Sequence, residues 1–140
     1  MPFVDATEQG LLDYFVATYG ASTKYIGLSS TTPTRAGANF TEPSTGAYAR
    51  VATTSADWNA ATGSAPATKN NSAVKTFPTA NADWAAGANM TYFGIFTAAT
   101  NGTLLAWGQL TTAKPVLNGD TPSFAAGALV LEMGLPTDTF

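Results

Sequence analysis

The sequence predicts an all-β fold, an antiparallel β-sandwich of jelly-roll-like form preceded by one N-terminal α-helix. Three observations predict it. Short segments rich in Val, Ile, Thr and aromatic residues recur between clusters of Gly, Pro, Asn and Asp. Thr and Ala fill roughly a third of the chain, above ordinary usage, and 13 Gly with 8 Pro supply turns. Helical periodicity, by contrast, is confined to the chain before Gly20.

The helix is expected at about residues 6–18. Asp5 and Glu8 form a capping-box-like pair whose carboxylates meet free amides. Leu11, Leu12, Phe15, Val16 and Tyr19 make one apolar face, and Gly20 is a natural stop. Beyond it the period shortens. Candidate strands lie at residues 24–29, 47–54, 74–77, 91–97, 104–110, 114–117 and 128–133, with a weaker one near Asp57. Asn101-Gly102 marks one hairpin turn and Asn118-Gly119-Asp120 another. Tyr25-Ile26-Gly27-Leu28 is echoed by Tyr92-Phe93-Gly94-Ile95, as two core strands with a central glycine would be. Core candidates are Tyr25, Leu28, Val51, Phe77, Phe93, Ile95, Leu105, Trp107, Leu129 and Leu131. The whole reads as a single domain over residues 1–140, with the sandwich at about 22–134 and a C-terminal arm at 135–140.

Composition excludes several function classes. The chain has 140 residues, enough for a core of its own, and carries neither Cys nor His. Disulfides, thiolate nucleophiles and Ser-His-Asp triads are therefore ruled out. Charged residues make up 11%, against about 25% in an ordinary domain. The net charge is −3, and Lys24, Arg35, Arg50, Lys69, Lys75 and Lys114 are scattered rather than clustered, so a nucleic-acid partner is not expected. No apolar run approaches the roughly 18 residues of a membrane span, and the first residues lack the pattern of a signal peptide. Neither a membrane partner nor export is expected.

Few constellations carry chemistry. Ala56-Asp57-Trp58 and Ala82-Asp83-Trp84 repeat an acid beside an indole, and a carboxylate pair is what glycoside hydrolysis uses. The simpler reading is that each Asp caps a turn while its Trp closes one end of the core. Arg50, after Gly46-Ala47-Tyr48-Ala49, reads as a side chain leaving a strand to pair with a carboxylate or to stack on an aromatic ring. No phosphate loop, EF-hand or metal-spaced cluster occurs, so neither cofactor nor metal is expected. No enzymatic activity is expected either.

Nearly the whole chain resembles a family of small tailed-phage virion proteins, often labelled tail-fibre or head-decoration proteins. The ordered set begins with Tyr25-Ile26-Gly27-Leu28, Thr31-Thr32-Pro33, Thr41-Glu42 and Gly46-Ala47-Tyr48-Ala49-Arg50. It continues through Phe77-Pro78-Thr79-Ala80, Asp83-Trp84 and Phe93-Gly94-Ile95-Phe96. It closes with Asn101-Gly102-Thr103-Leu104-Leu105, Trp107-Gly108-Gln109-Leu110-Thr111, Lys114, Gly119-Asp120 and Phe124-Ala125-Ala126-Gly127-Ala128-Leu129. Pro43-Ser44-Thr45-Gly46 stands where family members are glycine-rich. The resemblance implies an antiparallel sandwich in the virion and no catalytic residues.

Within that resemblance, composition favours a capsid decoration or cement protein. Such a protein would sit on the outer capsid surface and bridge neighbouring subunits of the major capsid protein as a homo-oligomer, dimer or trimer. A fibre chain usually carries a shaft repeat, and none is present. The alternative is a tail-fibre or tail-tip structural protein that binds a host surface. Ordering a Thr/Gly/Pro-rich segment costs about 1–2 kcal/mol per residue. Residues 30–45 and the arm 135–140 show no ladder to offset that cost, so they are expected to touch partners. Phe40 and Phe140 would be the anchors, with Arg35, Glu42 and Leu135 beside them. A second long loop is expected at residues 60–73.

Overall fold

Short segments between turn formers, most of them apolar, become eight strands among the described residues, and the largest sheet they build is antiparallel throughout. The computed structural model describes residues 3–64 and 66–133; the anticipated arm, with Leu135 and Phe140, lies outside them. The all-β class with a single N-terminal helix is the observed one. The strands are β1 (Lys24–Ser29), β2 (Val51–Thr53), β3 (Ala67–Asn70), β4 (Lys75–Thr76), β5 (Asn89–Phe96), β6 (Leu104–Pro115), β7 (Ser123–Phe124) and β8 (Val130–Met133), after the helix α1 (Asp5–Ala17). They form one four-stranded sheet, β2-β1-β5-β6, and the two-stranded sheets β3-β8 and β4-β7. The chain divides into two compact units.

The first unit takes the described residues up to Ser22, Thr54–Val74 and those from Phe124 on. Here α1 packs on β3 and β8, burying Leu12 and Val16 beside Trp58, Ala67, Leu129 and Leu131. The helix departs from expectation in two ways. Its N-cap is Val4, with no side-chain cap, because the helix begins at Asp5 and draws that residue into its first turn. Of the expected apolar face only Leu12 and Val16 are buried, while Leu11 and Tyr19 face outward. The expected loop at 60–73 contains β3, and the weak strand near Asp57 is instead a 3-10 turn, Ser55–Asp57. β3 escapes detection because its sequence, Ala-Thr-Lys-Asn, is polar and its partner β8 lies at the other end of the chain. Fully buried Asn71 ties the unit's loops together. Its amide donates to the Ala73 and Ala125 carbonyls and its side-chain oxygen accepts from the Leu129 N–H.

The second unit, Thr23–Thr53 with Lys75–Ser123, is built on the four-stranded sheet. Residues opposite each other in neighbouring strands share a face, and faces alternate along each strand. One face carries Ile26 and Leu28 opposite Ile95 and Phe93, all buried. The other carries Gly27 directly opposite Gly94, which explains the echoed tetrapeptides by packing. A Cβ on Gly27 would stand 2.6 Å from the Glu42 carboxylate, and one on Gly94 would stand 2.7 Å from the Phe40 ring. The paired glycines are thus a trough into which the segment between β1 and β2 lays its side chains. Phe77 and Trp84 are buried as well.

Three further expectations need correction here. Residues 114–117 are not a separate strand, because β6 runs on to Pro115 beside a long β5. Asn101-Gly102 does make the β5–β6 hairpin, both residues having positive φ. Residues 117–120 form a tight turn closed by the Asp120 carboxylate on the Leu117 N–H, yet they join β6 to β7, which are not paired. Trp107, expected in the core, is 39% exposed because it stands on the glycine face of edge strand β6.

Candidate interaction surface

The segment expected to need a partner for its order has internal support. Between Ser30 and Thr45 there is neither helix nor strand, but short polar side chains replace a ladder. The Ser30 N–H donates to the Thr41 carbonyl, the Thr31 hydroxyl to the Asn39 carbonyl, and the Asn39 amide to the Thr32 carbonyl. A tight turn follows, with the Gly37 N–H on the Thr34 carbonyl and the Thr34 N–H on the Ala38 carbonyl. The loop is self-packed, which corrects the premise that only a neighbour could offset its ordering entropy.

Glu42 and Phe40 fasten this loop to the sheet. Arg50 meets Glu42 in a two-pronged ion pair, Nε to Oε1 at 2.8 Å and Nη2 to Oε2 at 2.6 Å. Its remaining prong, Nη1, donates to the carbonyls of Ala98 at 2.7 Å and Asn101 at 2.8 Å. The guanidinium also lies 3.5 Å from the centre of the Phe96 ring. Arg50 therefore both pairs with a carboxylate and stacks on an aromatic, as its place in the sequence predicts. Such planar, charge-assisted pairing is what arginine supplies and lysine does not. The Tyr48 hydroxyl donates to Glu42 Oε1 at 2.6 Å and accepts the Leu28 N–H at 3.0 Å. Burial, then that Glu42 carboxylate, push the Tyr48 phenol far above its ordinary value of 10.0. Phe40 meets the Phe96 ring edge-on, centroids 5.0 Å apart. Trp84, fully buried, donates its indole N–H to the Gly46 carbonyl at 2.8 Å and meets Tyr48 edge-on.

What this scaffold leaves exposed is the loop tip and the adjoining edge strand. Arg35, Ala36 and Gly37 face Leu104–Trp107 across an open cleft of about 280 Å³. Trp107 is held edge-on by Tyr92, whose hydroxyl lies 3.3 Å from that of Thr32. An exposed indole and an arginine lining one cleft offer a broad apolar contact and a charge-assisted donor. Of the residues expected at contacts, Arg35 is at this cleft, Phe40 and Glu42 serve the loop's own anchorage, and Leu135 and Phe140 lie outside the described residues. Sequence reasoning placed Trp107 in the core; the signal for its exposure is Gln109 two positions on, since alternate strand residues share a face.

The first Ala-Asp-Trp triplet caps its own turn with its Asp, and the second does not. Asp57 accepts the Thr54 N–H and closes the 3-10 turn before buried Trp58, all within the first unit. Asp83 accepts the Asn118 N–H within the second. In the first unit Lys69 is buried with its ammonium on Asp13 at 2.6 Å and on the Asn59 carbonyl at 2.7 Å. That ammonium holds the Asp13 carboxyl below its ordinary 3.8, burial opposing and the Ala61 N–H assisting. Lys24 and Lys75 are buried too, so three of the four lysines are withdrawn from the surface. Among the described residues no group of three or more carboxylates gathers as a metal site, and no helix is long and apolar enough to cross a membrane.

Compared with known families, residues 2–132 match the model described as "Podophage GP4 fiber I protein gp80". No curated protein matches the chain.

Proposed function

The chain belongs to the podophage GP4 fiber I protein gp80 family, and from that premise we propose that this virion structural protein is a component of the fibre apparatus. The observation that carries the proposal is the family match, which spans nearly the whole chain and bears a fibre name. That name favours the fibre reading over shell decoration, for which the low charge and the lack of a shaft repeat spoke. The lack is weak as an objection, since a fibre also needs compact pieces that join its parts.

The cleft beside Trp107 is the proposed contact with a neighbouring virion protein. Its loop is pre-ordered by the Glu42–Tyr48–Arg50 cluster, so docking there carries little further ordering cost. The role is proposed as structural and without catalysis, because Asp57 and Asp83 are occupied with backbone amides. Nucleic acid and membrane are not among the proposed partners. The major capsid protein becomes the partner only if the chain is found on the shell. Disrupting virions, separating heads from tails and fibres, and probing each fraction with an antibody tests the proposal. Recovery with the tail and fibre fraction is expected; recovery with heads alone would overturn it.

A further inference from the structure

The four-stranded sheet has two edges, and they are finished differently. Successive residues of an antiparallel strand turn their backbone N–H and C=O groups to opposite sides. At β1 the Leu28 N–H turns away from β5 and donates to the Tyr48 hydroxyl. Phe93, opposite Leu28, therefore turns toward β6, and Gly108, opposite Phe93, turns toward β5. Trp107 and Gln109, on either side of Gly108, thus present their N–H and C=O groups outward. No strand or loop among the described residues meets them there. At the other edge the outward Ala52 carbonyl is met by the buried Lys75 ammonium at 3.3 Å. Free edges are ordinarily guarded by bulges, lysine or proline. On β6 those guards flank Ala106–Gln109 without entering it. Leu105 is an extra residue on one side; on the other, Leu110–Ala113 fall opposite Thr91 alone, before Lys114 and Pro115.

We propose that Ala106–Gln109 is an edge left open for strand addition, and that its occupant is an extended, acidic segment of a neighbouring virion protein. The proposal rests on the reading of the Trp107 cleft as a virion contact and names what enters it. An added strand is held by main-chain bonds to the open edge, and side-chain pockets beside that edge select which strand is taken. Here the pocket is the cleft that Arg35 and Trp107 line. Charge selects for acid. Of the six basic residues, Arg50 and Lys69 are ion-paired while Lys24 and Lys75 are buried. Arg35 and Lys114 are exposed and in no ion pair among the described residues, one at the cleft and the other beyond Gln109. A second copy of the chain fits poorly. Antiparallel pairing of two β6 edges would bring Arg35 of each copy toward Lys114 of the other, and like charges facing across strands destabilise.

Hydrogen exchange read by mass spectrometry, on purified virions and on the isolated chain, tests it, with oxidative footprinting of Trp107 alongside. Trp107 reports the cleft alone, because Trp58 and Trp84 are buried. Peptides spanning Ala106–Gln109 are expected to exchange at least tenfold more slowly in virions, where Trp107 also oxidises more slowly. Gln109→Pro removes an outward N–H that β5 does not use, and proline is tolerated at such an edge position. It is expected to keep the far-UV circular dichroism of the parent yet leave virions at least tenfold faster, while Gln109→Ala is retained. Arg35→Glu/Lys114→Glu should leave faster too. A shielded Trp107 with amides that exchange as in the isolated chain would overturn strand addition and leave the cleft contact standing. Equal oxidation of Trp107 in both samples would overturn the contact and this proposal together. Protection that already exists in the isolated chain and rises with concentration would assign the edge to a second copy. Parental retention of Arg35→Glu/Lys114→Glu would remove the acidic partner; either result also overturns the proposal.

Discussion

Gly27 and Gly94 stand directly opposite one another in β1 and β5, on the sheet face that receives Glu42, Tyr48 and Phe40. The missing side chains admit the loop to the sheet. Gly27→Ala drives a methyl to 2.6 Å from the Glu42 carboxylate, and Gly94→Ala drives one to 2.7 Å from the Phe40 ring. Each is expected to cost about 1–3 kcal/mol of stability through overpacking. Gly10→Ala, in open space on α1, is expected to stabilise by about 0.5–1 kcal/mol. Urea unfolding of the three variants under dilute conditions checks all of these values.

Removing the Glu42 carboxylate leaves a guanidinium whose side chain is only 7% exposed without its counter-charge. Glu42→Ala is expected to destabilise by about 3 kcal/mol. Tyr48→Phe, which removes a hydroxyl that both donates and accepts, is expected to cost about 1–2 kcal/mol. The two losses should fall short of additive in the double variant, since both act on one carboxylate. Additivity would show that Tyr48 and Glu42 act separately.

Where the sequence spoke through local pattern it was legible. Alternation gave β1 with both its ends, Asn101-Gly102 gave the hairpin, and the echoed tetrapeptides gave two central strands. Arg50 was legible as an arginine that pairs and stacks. What depended on distant partners was not. β3 is polar and pairs with a strand some sixty residues away, near the far end of the chain. The order of residues 30–45 comes from Ser, Thr and Asn side chains bonding the backbone, which leaves no periodic trace. Lys24, Lys69 and Lys75 look like surface charges in a sequence, and only the fold withdraws them. The cleft was half legible, since Arg35 was anticipated and Trp107 was assigned to the core.

Acid should loosen the tie between Asp13 and Lys69. The Asp13 carboxyl titrates below 3.8 when folded, so its stabilisation is complete above the unfolded value and fades as pH falls through the depressed one. Asp13 is half exposed, and solvent screening keeps the effect to about 0.5–1 kcal/mol. Urea midpoints of the parent and Asp13→Asn are expected to differ at pH 6 and to converge as the pH falls through the depressed value of the folded Asp13 carboxyl. A gap that persists unchanged in acid would contradict the assignment.

Arg35→Ala removes an exposed group at the cleft and should leave stability within about 0.5 kcal/mol of the parent. Trp107→Ala also gives up the edge-on contact with Tyr92 and should cost about 1–2 kcal/mol while leaving the chain folded. The effect that bears on the cleft is expected in retention. Particles carrying Trp107→Ala should release the chain more readily on heating or dilution, and Arg35→Ala should do so to a lesser degree. Asp83→Asn, on the other side of the comparison, should leave retention unchanged.

A cryo-electron microscopy map of the intact virion, with this chain's density assigned, tests the fibre reading most directly. Density in the tail and fibre apparatus, with the Trp107 cleft against a neighbouring virion protein, is the expected result. Density confined to the outer capsid surface, bridging major capsid subunits, would contradict it.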